Sequence, residues 1–226
     1  EDAFFNQFFA LVNQYGLSLS YAGHTAPDEL KREFPKTYYA KYNKEAYARL
    51  KNDFNNGGKE DIMRLYMLLI YGFNRMLRFN GKEDFNLPVG DVDFNQNTRD
   101  ALDDYFRLLA NKQVEWYNLD FREFLGGIDY QEGDLVYLDP PYLITFSEYN
   151  KLWNDETEHD LLVLLDELNA RGVHFAISNV THYKGKVNEA FLDWSAHYTS
   201  HPIKSNYISF NDNTVKSFNE VLVTNY

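Results

Sequence analysis

The chain has no cysteine. This removes disulfides, thiolate metal sites and cysteine nucleophiles together. Nor is there any run of about 18 apolar residues, so no membrane span is expected. A basic-then-apolar leader is missing too, and the opening Glu1-Asp2 suits neither a signal peptide nor a natural start. Positive charge is scarce: 22 Lys and Arg stand against 34 Asp and Glu, a net charge of −12. That balance counts against a nucleic-acid partner, because neutralising phosphates favours basic surfaces. It is an average, however. Arg75, Arg78 and Lys82 cluster locally, while the acids concentrate in segments such as 155–167. His24, His159, His174, His182, His197 and His201 fall at no metal-ligand spacing.

Aromatic residues are abundant, with 18 Phe, 18 Tyr and 3 Trp in 226 residues, and a chain of this length can bury a substantial core. Phe4, Phe5, Phe8, Phe9, Val12 and Tyr15 repeat at helical spacing. Residues 16–43, with Pro27 and Pro35, read as loop and turns. Helices are expected at 44–54, before Asn55-Asn56-Gly57-Gly58, and at 60–71. Gly72, Gly81, Pro88 and Gly90 punctuate short aromatic runs over 72–96, as in a hairpin. Thr98 is a candidate cap for a helix to about Leu109, and Asp155 for one to Ala170. Strands are expected at 114–118, 135–138, 173–178 and 220–224, with a further helix at 187–194. Strands alternating with helices predict βαβ units and a largely parallel sheet. The expected organisation is a helical and hairpin lobe at 1–112, followed at 113–226 by part of a doubly wound α/β sheet.

The most informative run is Asp134-Leu135-Val136-Tyr137-Leu138-Asp139-Pro140-Pro141-Tyr142. Its apolar core reads as a strand buried on both faces. It ends at an acid followed by two prolines, which cannot continue a ladder. A carboxylate at the carboxyl end of a strand in an α/β sheet lies where such sheets bind ligands.

Asp-Pro-Pro-Tyr at a strand end resembles the catalytic tetrapeptide of amino-group DNA methyltransferases. Residues Tyr71 to Asn80, then Phe85-Asn86-Leu87-Pro88-Val89-Gly90, are similar to the recognition hairpin of Dam-type DNA adenine-N6 methyltransferases. Leu143-Ile144-Thr145, Tyr149 to Trp153 and the closing Glu220 to Tyr226 resemble the phage members of that family. The order, recognition segment before tetrapeptide, is also the family's. The resemblance spans residues 58–226.

It implies a Rossmann-like methyltransferase fold and methyl transfer from S-adenosylmethionine to an adenine flipped out of double-stranded DNA. The implied target is GATC, and the implied setting is the cytoplasm of a bacterial or phage-infected cell, in a restriction-modification context. Asp139 and the Pro140 carbonyl would accept the two N–H groups of the adenine amino group, favouring the pyramidal geometry needed for attack. Asp139 is not expected to act as a strong base. Pro141 fixes the backbone, and Tyr142 would stack on the base and face the sulfonium. Asp120 and Phe121 would join Asp139 at the cofactor. On the DNA side Arg78 would read a guanine, Phe73 would wedge into the vacated stack, and Met76 and Pro88 would touch a thymine methyl. Asn74 and Asn86 are further candidate contacts.

The family's lysine-bearing segment, Phe-x-Gly-x-Gly turn and second, ribose-binding acid have no match in this sequence. Some sixty residues that carry them are therefore expected ahead of Glu1. The alternative readings are a fragment that binds DNA without its cofactor and, from another class, an acidic α/β protein with an unrelated small ligand.

Overall fold

The computed structural model describes residues 1–145, 150, 152–204 and 218–226. The chain divides into two compact units, Glu1–Glu115 and Trp116–Tyr226.

In the first unit the aromatic repeat forms α1 (Asp2–Tyr15), which buries Phe5, Phe8, Val12 and Tyr15 along one stripe. Gly16, at φ 72, ends it by returning its N–H to Val12 and Asn13. The stretch read as loop holds a short helix, α2 (Asp28–Glu33), and the start of α3 (Tyr38–Asn55). Pro35 is compatible with both because it falls between them. Helix α3 buries Ala46, Tyr47, Leu50 and Phe54, and α4 (Ile62–Ile70), capped by Asp61, buries Met63, Met67, Leu68 and Ile70. These faces meet in one core with Leu87 and Phe94. Helix α5 (Gln96–Ala110) is capped by Asn95, not by Thr98; the Asn95 side chain accepts the Thr98 N–H. Two cap-type residues stand three positions apart there, and the earlier one has the extended backbone a cap needs.

Between α4 and α5 the chain doubles back as expected, though through isolated bridges, Gly72 to Val89 and Phe79 to Phe85, instead of regular strands. A Cβ on Gly90 would lie 2.5 Å from the Gly72 carbonyl oxygen, so only glycine permits this backbone approach.

The second unit holds α6 (Phe121–Gly127), β1 (Leu135–Leu138), α7 (Asp155–Ala170), β2 (His174–Tyr183), β3 (Lys186–Val187), α8 (Glu189–Ser195), β4 (Thr199–Ile203) and β5 (Phe218–Thr224). The strand order is β1-β2-β5-β4, with β3 paired to β2. Strand β1 runs parallel to β2, with Leu138 opposite Ile177. The β2–β5, β2–β3 and β4–β5 pairs are antiparallel. The sheet is therefore mixed, and the largely parallel expectation is corrected. A strand that hairpins directly, as β2 does into β3, must return antiparallel. Asn154 caps α7, one residue before Asp155. Leu161, Leu162, Leu165 and Leu168 of α7 pack with Phe175, Ile177, Phe191 and Val223 to form this unit's core.

Two further expectations fail. Residues 114–118 form no strand: Val114, Trp116 and Tyr117 are exposed, with no ladder among the described residues to hold them extended. Strand β1 is not buried on both faces either. Leu135 and Tyr137 are 55% and 65% exposed, while Val136 and Leu138 are half-buried. Leu135 and Tyr137 share one face of the pleat, which no described element covers, so the apolar character of β1 does not report two covered faces.

Candidate active site

The parallel register of β1 and β2 carries Asp139 past the end of the ladder, beside Ser178 of β2. Ser178 Oγ donates to Asp139 Oδ1 at 2.9 Å, and the Tyr142 hydroxyl lies 3.2 Å from the same oxygen. That hydroxyl is also 3.0 Å from Glu220 Oε1 on β5. Its one proton thus serves two carboxylates. Burial pushes the Tyr142 phenol well above the usual tyrosine range; the Ser178 bond opposes this and the Glu220 bond adds to it. Asp139 is exposed, and its Oδ2 accepts no hydrogen bond among the described residues. The Pro140 carbonyl is equally unengaged there. The strand end therefore presents two oxygen acceptors on consecutive residues that no described donor engages.

Past Tyr142 the backbone is fixed by Asn150, whose amide lies 2.6 Å from the Tyr142 carbonyl and 2.9 Å from that of Thr145. Tyr149 and Lys151, which carried part of the resemblance, lie outside the described residues.

Against the tetrapeptide opens a cavity of about 310 Å³ lined by Phe121, Phe124, Leu138, Asp139, Pro140 and Trp153, among others. The Phe121 and Trp153 rings stand 5.7 Å apart at 48°. The Trp153 indole donates to Glu158 Oε2 at 3.2 Å, and the amide of Asn188 donates to Oε1 at 2.6 Å. Glu158 is almost wholly buried. Burial raises its pKa and nearby Asp155 adds to this, while bonds from Asn188, Trp153 and Asn179 pull it down.

Phe121 thus joins Asp139, Pro140 and Pro141 at the cavity, but Asp120 is not among its lining residues. Instead the exposed Asp120 caps α6 through the Arg122 N–H and pairs with the Arg122 guanidinium, which in turn pairs with Asp160. The cap bond, with that charge, holds its carboxyl below the usual range.

The sequence-level candidates did not include Ser178, Glu158 or a role for Glu220. The available signal was a polar Ser178-Asn179 pair directly after the apolar run 175–177, and a lone acid opening the apolar run 221–223.

In the first unit the hairpin brings Arg78 onto Asn86. The Arg78 guanidinium donates to Asn86 Oδ1 and to the Asn86 carbonyl, each at 2.8 Å. Phe73 and Met76 are half-buried against the core. Asn74 is exposed and left-handed, at φ 52. Pro88 is exposed, and its carbonyl accepts the Phe73 N–H at 2.9 Å. Asn55 of α3 bonds both the N–H and the carbonyl of Phe85, tying the hairpin to the helices. Burial, and then the charge of Arg78, lower the Lys51 pKa beside it. No described helix is long and apolar enough to cross a membrane.

A family model described as D12 class N6 adenine-specific DNA methyltransferase matches residues 10–209. Among curated proteins the chain is similar to the type II methyltransferase M.FokI of Planomicrobium okeanokoites, at 36% identity over 207 residues. That match covers 87% of this chain and 31% of that protein. It is similar to the modification methylase LlaI of Lactococcus lactis subsp. lactis, at 33% identity, over 90% of this chain and 33% of that one. The retron Ec67 DNA adenine methylase of Escherichia coli is 29% identical over 59% of this chain and 47% of its own length. The chain therefore spans about a third of the first two relatives.

Proposed function

Because the chain belongs to the D12 class of N6 adenine-specific DNA methyltransferases, we propose that it carries the base-binding and recognition parts of an adenine-N6 methyl transfer on duplex DNA. The reading includes a role in DNA modification, as the name of the LlaI methylase encourages, and, as further parts of the proposal, a restriction partner and a cytoplasmic setting. The observation that carries it is the pair of unengaged acceptors, Asp139 Oδ2 and the Pro140 carbonyl, at the mouth of an aromatic-walled cavity.

The adenine amino group is a poor nucleophile while its lone pair is delocalised into the ring. Two acceptors, one for each N–H, stabilise the pyramidal form in which the lone pair is free, an interaction stronger in the transition state than in the ground state. Tyr142 and Ser178 hold Asp139 Oδ1, leaving Oδ2 to accept from the substrate. N6 is buried in a duplex, so the base must leave the stack first. The Tyr142 ring then stacks on it, while the Tyr142 hydroxyl stays anchored between Asp139 and Glu220.

The cavity fits the purine end of S-adenosylmethionine: it has planar walls at Phe121 and Trp153, an apolar floor at Leu138, and the volume of a small-ligand pocket. When bound, that cofactor supplies an electrophilic methyl group on sulfur. Phe121, Trp153 and Pro140 would hold it.

In the first unit, Arg78 and Asn86 form the proposed base-reading pair, Arg78 directed at a guanine. Phe73 fills the gap left by the flipped base, with Asn74, Met76 and Pro88 around it. The target proposed for first trial is GATC. The test follows methyl incorporation from labelled S-adenosylmethionine into duplexes carrying GATC and its single-pair variants, with N6-methyladenine mapped afterwards. Methylation of adenine at another sequence would replace GATC and keep the reaction. Duplex binding without incorporation would favour the binding fragment.

A further inference from the structure

Of the arginines in the first unit, Arg64, Arg99 and Arg107 are ion-paired to carboxylates. Arg32 and Arg49 donate to main-chain carbonyls. Arg75 and Arg78 pair with no carboxylate among the described residues, although the chain carries a net charge of −12. Both lie in the hairpin. Arg78 spends two of its donors on Asn86, but Arg75 is exposed and makes one long bond, from Nη2 to Thr98 Oγ1 at 3.2 Å. The rest of its planar fork meets no acceptor among the described residues.

Its backbone is unusual as well. Asn74 and Arg75 both stand at φ 52, a region that L side chains with a Cβ rarely adopt and that glycine enters freely. Glu83 and Lys184 share this region, at φ 60 and φ 49, but only at 74–75 do two such non-glycine residues stand in succession among the described residues, and strain of this kind concentrates at functional sites. Arg75 also lines a cavity of about 470 Å³ with Tyr66, Asn97, Thr98 and Tyr105. Its charge reaches the Tyr66 phenol, where it opposes the rise that burial causes.

Resting on the reading of the chain as a DNA-acting enzyme, we propose that Arg75 is a contact to a phosphodiester of the duplex backbone, which sets the position of the hairpin without reading sequence. Its role thereby differs from that of Arg78. Backbone contacts position, whereas base contacts specify. The Thr98 bond fixes the guanidinium beside α5, and the donors left unfilled by the described residues match the anionic oxygens of a phosphate.

The test is fluorescence anisotropy of the full chain on two duplexes, one with the methylated sequence and one scrambled, across 50 to 200 mM salt. Arg75→Gly should weaken binding to both duplexes alike, roughly tenfold near 0.1 M salt, and make the slope of log K against log salt shallower by about 0.9. Its melting temperature should stay level or rise, because glycine relieves the left-handed backbone. Arg75→Lys, which keeps the charge, should retain most of the slope. An unchanged slope in Arg75→Gly, or a loss confined to one base pair, would overturn the proposal while leaving the enzyme reading in place. Absence of salt-dependent duplex binding by the unaltered chain would instead overturn that reading, and the proposal with it.

Discussion

In the hairpin the chemistry-bearing side chains, Arg78 and Asn86, meet across eight residues of chain. At the end of β1 they converge from much further away: Tyr142 meets Ser178 across 36 residues and Glu220 across 78. The hairpin can form its arrangement from local contacts, needing only Gly72 and Gly90 to let the backbones approach and α3 to anchor it. The strand end has no local route to its geometry. Its carboxylates and hydroxyls come together because β1, β2 and β5 are neighbours in one sheet. A substitution in the hairpin should therefore alter recognition with little effect on chemistry, and one at the strand end the reverse.

The largest effect is expected from Asp139→Ala, which should lower methyl-transfer turnover about 10³-fold, the scale of losing one preorganised polar group at a reacting centre, while duplex affinity is unchanged. Single-turnover incorporation beside anisotropy checks this; a parallel loss of DNA binding would break the separation of the two regions. Gly90→Ala comes next. Its Cβ would meet the Gly72 carbonyl at 2.5 Å, so a stability loss of about 1–3 kcal/mol is expected from overpacking against backbone, read as a lower urea midpoint. If it were neutral, the hairpin would be looser than its close approach implies.

Arg78→Ala should cost about 1–3 kcal/mol of discrimination at a single base pair. Comparing methylation of GATC with its single-pair variants tests this, and equal loss on every sequence would make Arg78 a backbone contact like Arg75. The smallest effect concerns Glu158. Burial raises its pKa, so the folded chain holds that proton more tightly than the unfolded chain does. The resulting stability is fully present below the ordinary glutamate range and is lost as pH rises through the folded value. Acidifying from neutrality should therefore stabilise the unaltered chain relative to Glu158→Gln, which has no proton to gain there. Parallel urea melts along that pH range measure the difference, and a gap that ignores pH would place the Trp153–Glu158 contact outside the site's electrostatics.

The elements legible in the sequence were those whose signal is periodic and local. The stripe Phe5, Phe8, Val12 and Tyr15 announced α1, and a cap-type residue at Asp155, one position past the true cap, announced α7. Glycine and proline spacing announced a hairpin, and four residues after an apolar run announced the strand end. What misled was apolar character without a partner. Residues 114–118 look like a strand and form none, and β1 looks doubly buried yet shows Leu135 and Tyr137 to solvent. Hydrophobicity records what a residue tolerates, not what lies beside it.

By itself, then, the sequence determined α1, α4, α5, α7 and α8 but not α2 or α6, together with the position of Asp139 behind an apolar strand and the doubling back of residues 72–90, because each of these depends on residues a few positions apart. Only the tertiary structure decided that the sheet is mixed, that Tyr142 shares its proton between Asp139 and Glu220, and that Glu158 braces Trp153 beside Phe121. Those facts depend on which strands become neighbours, and strand pairing is set by the burial of whole faces, not by any short run of residues.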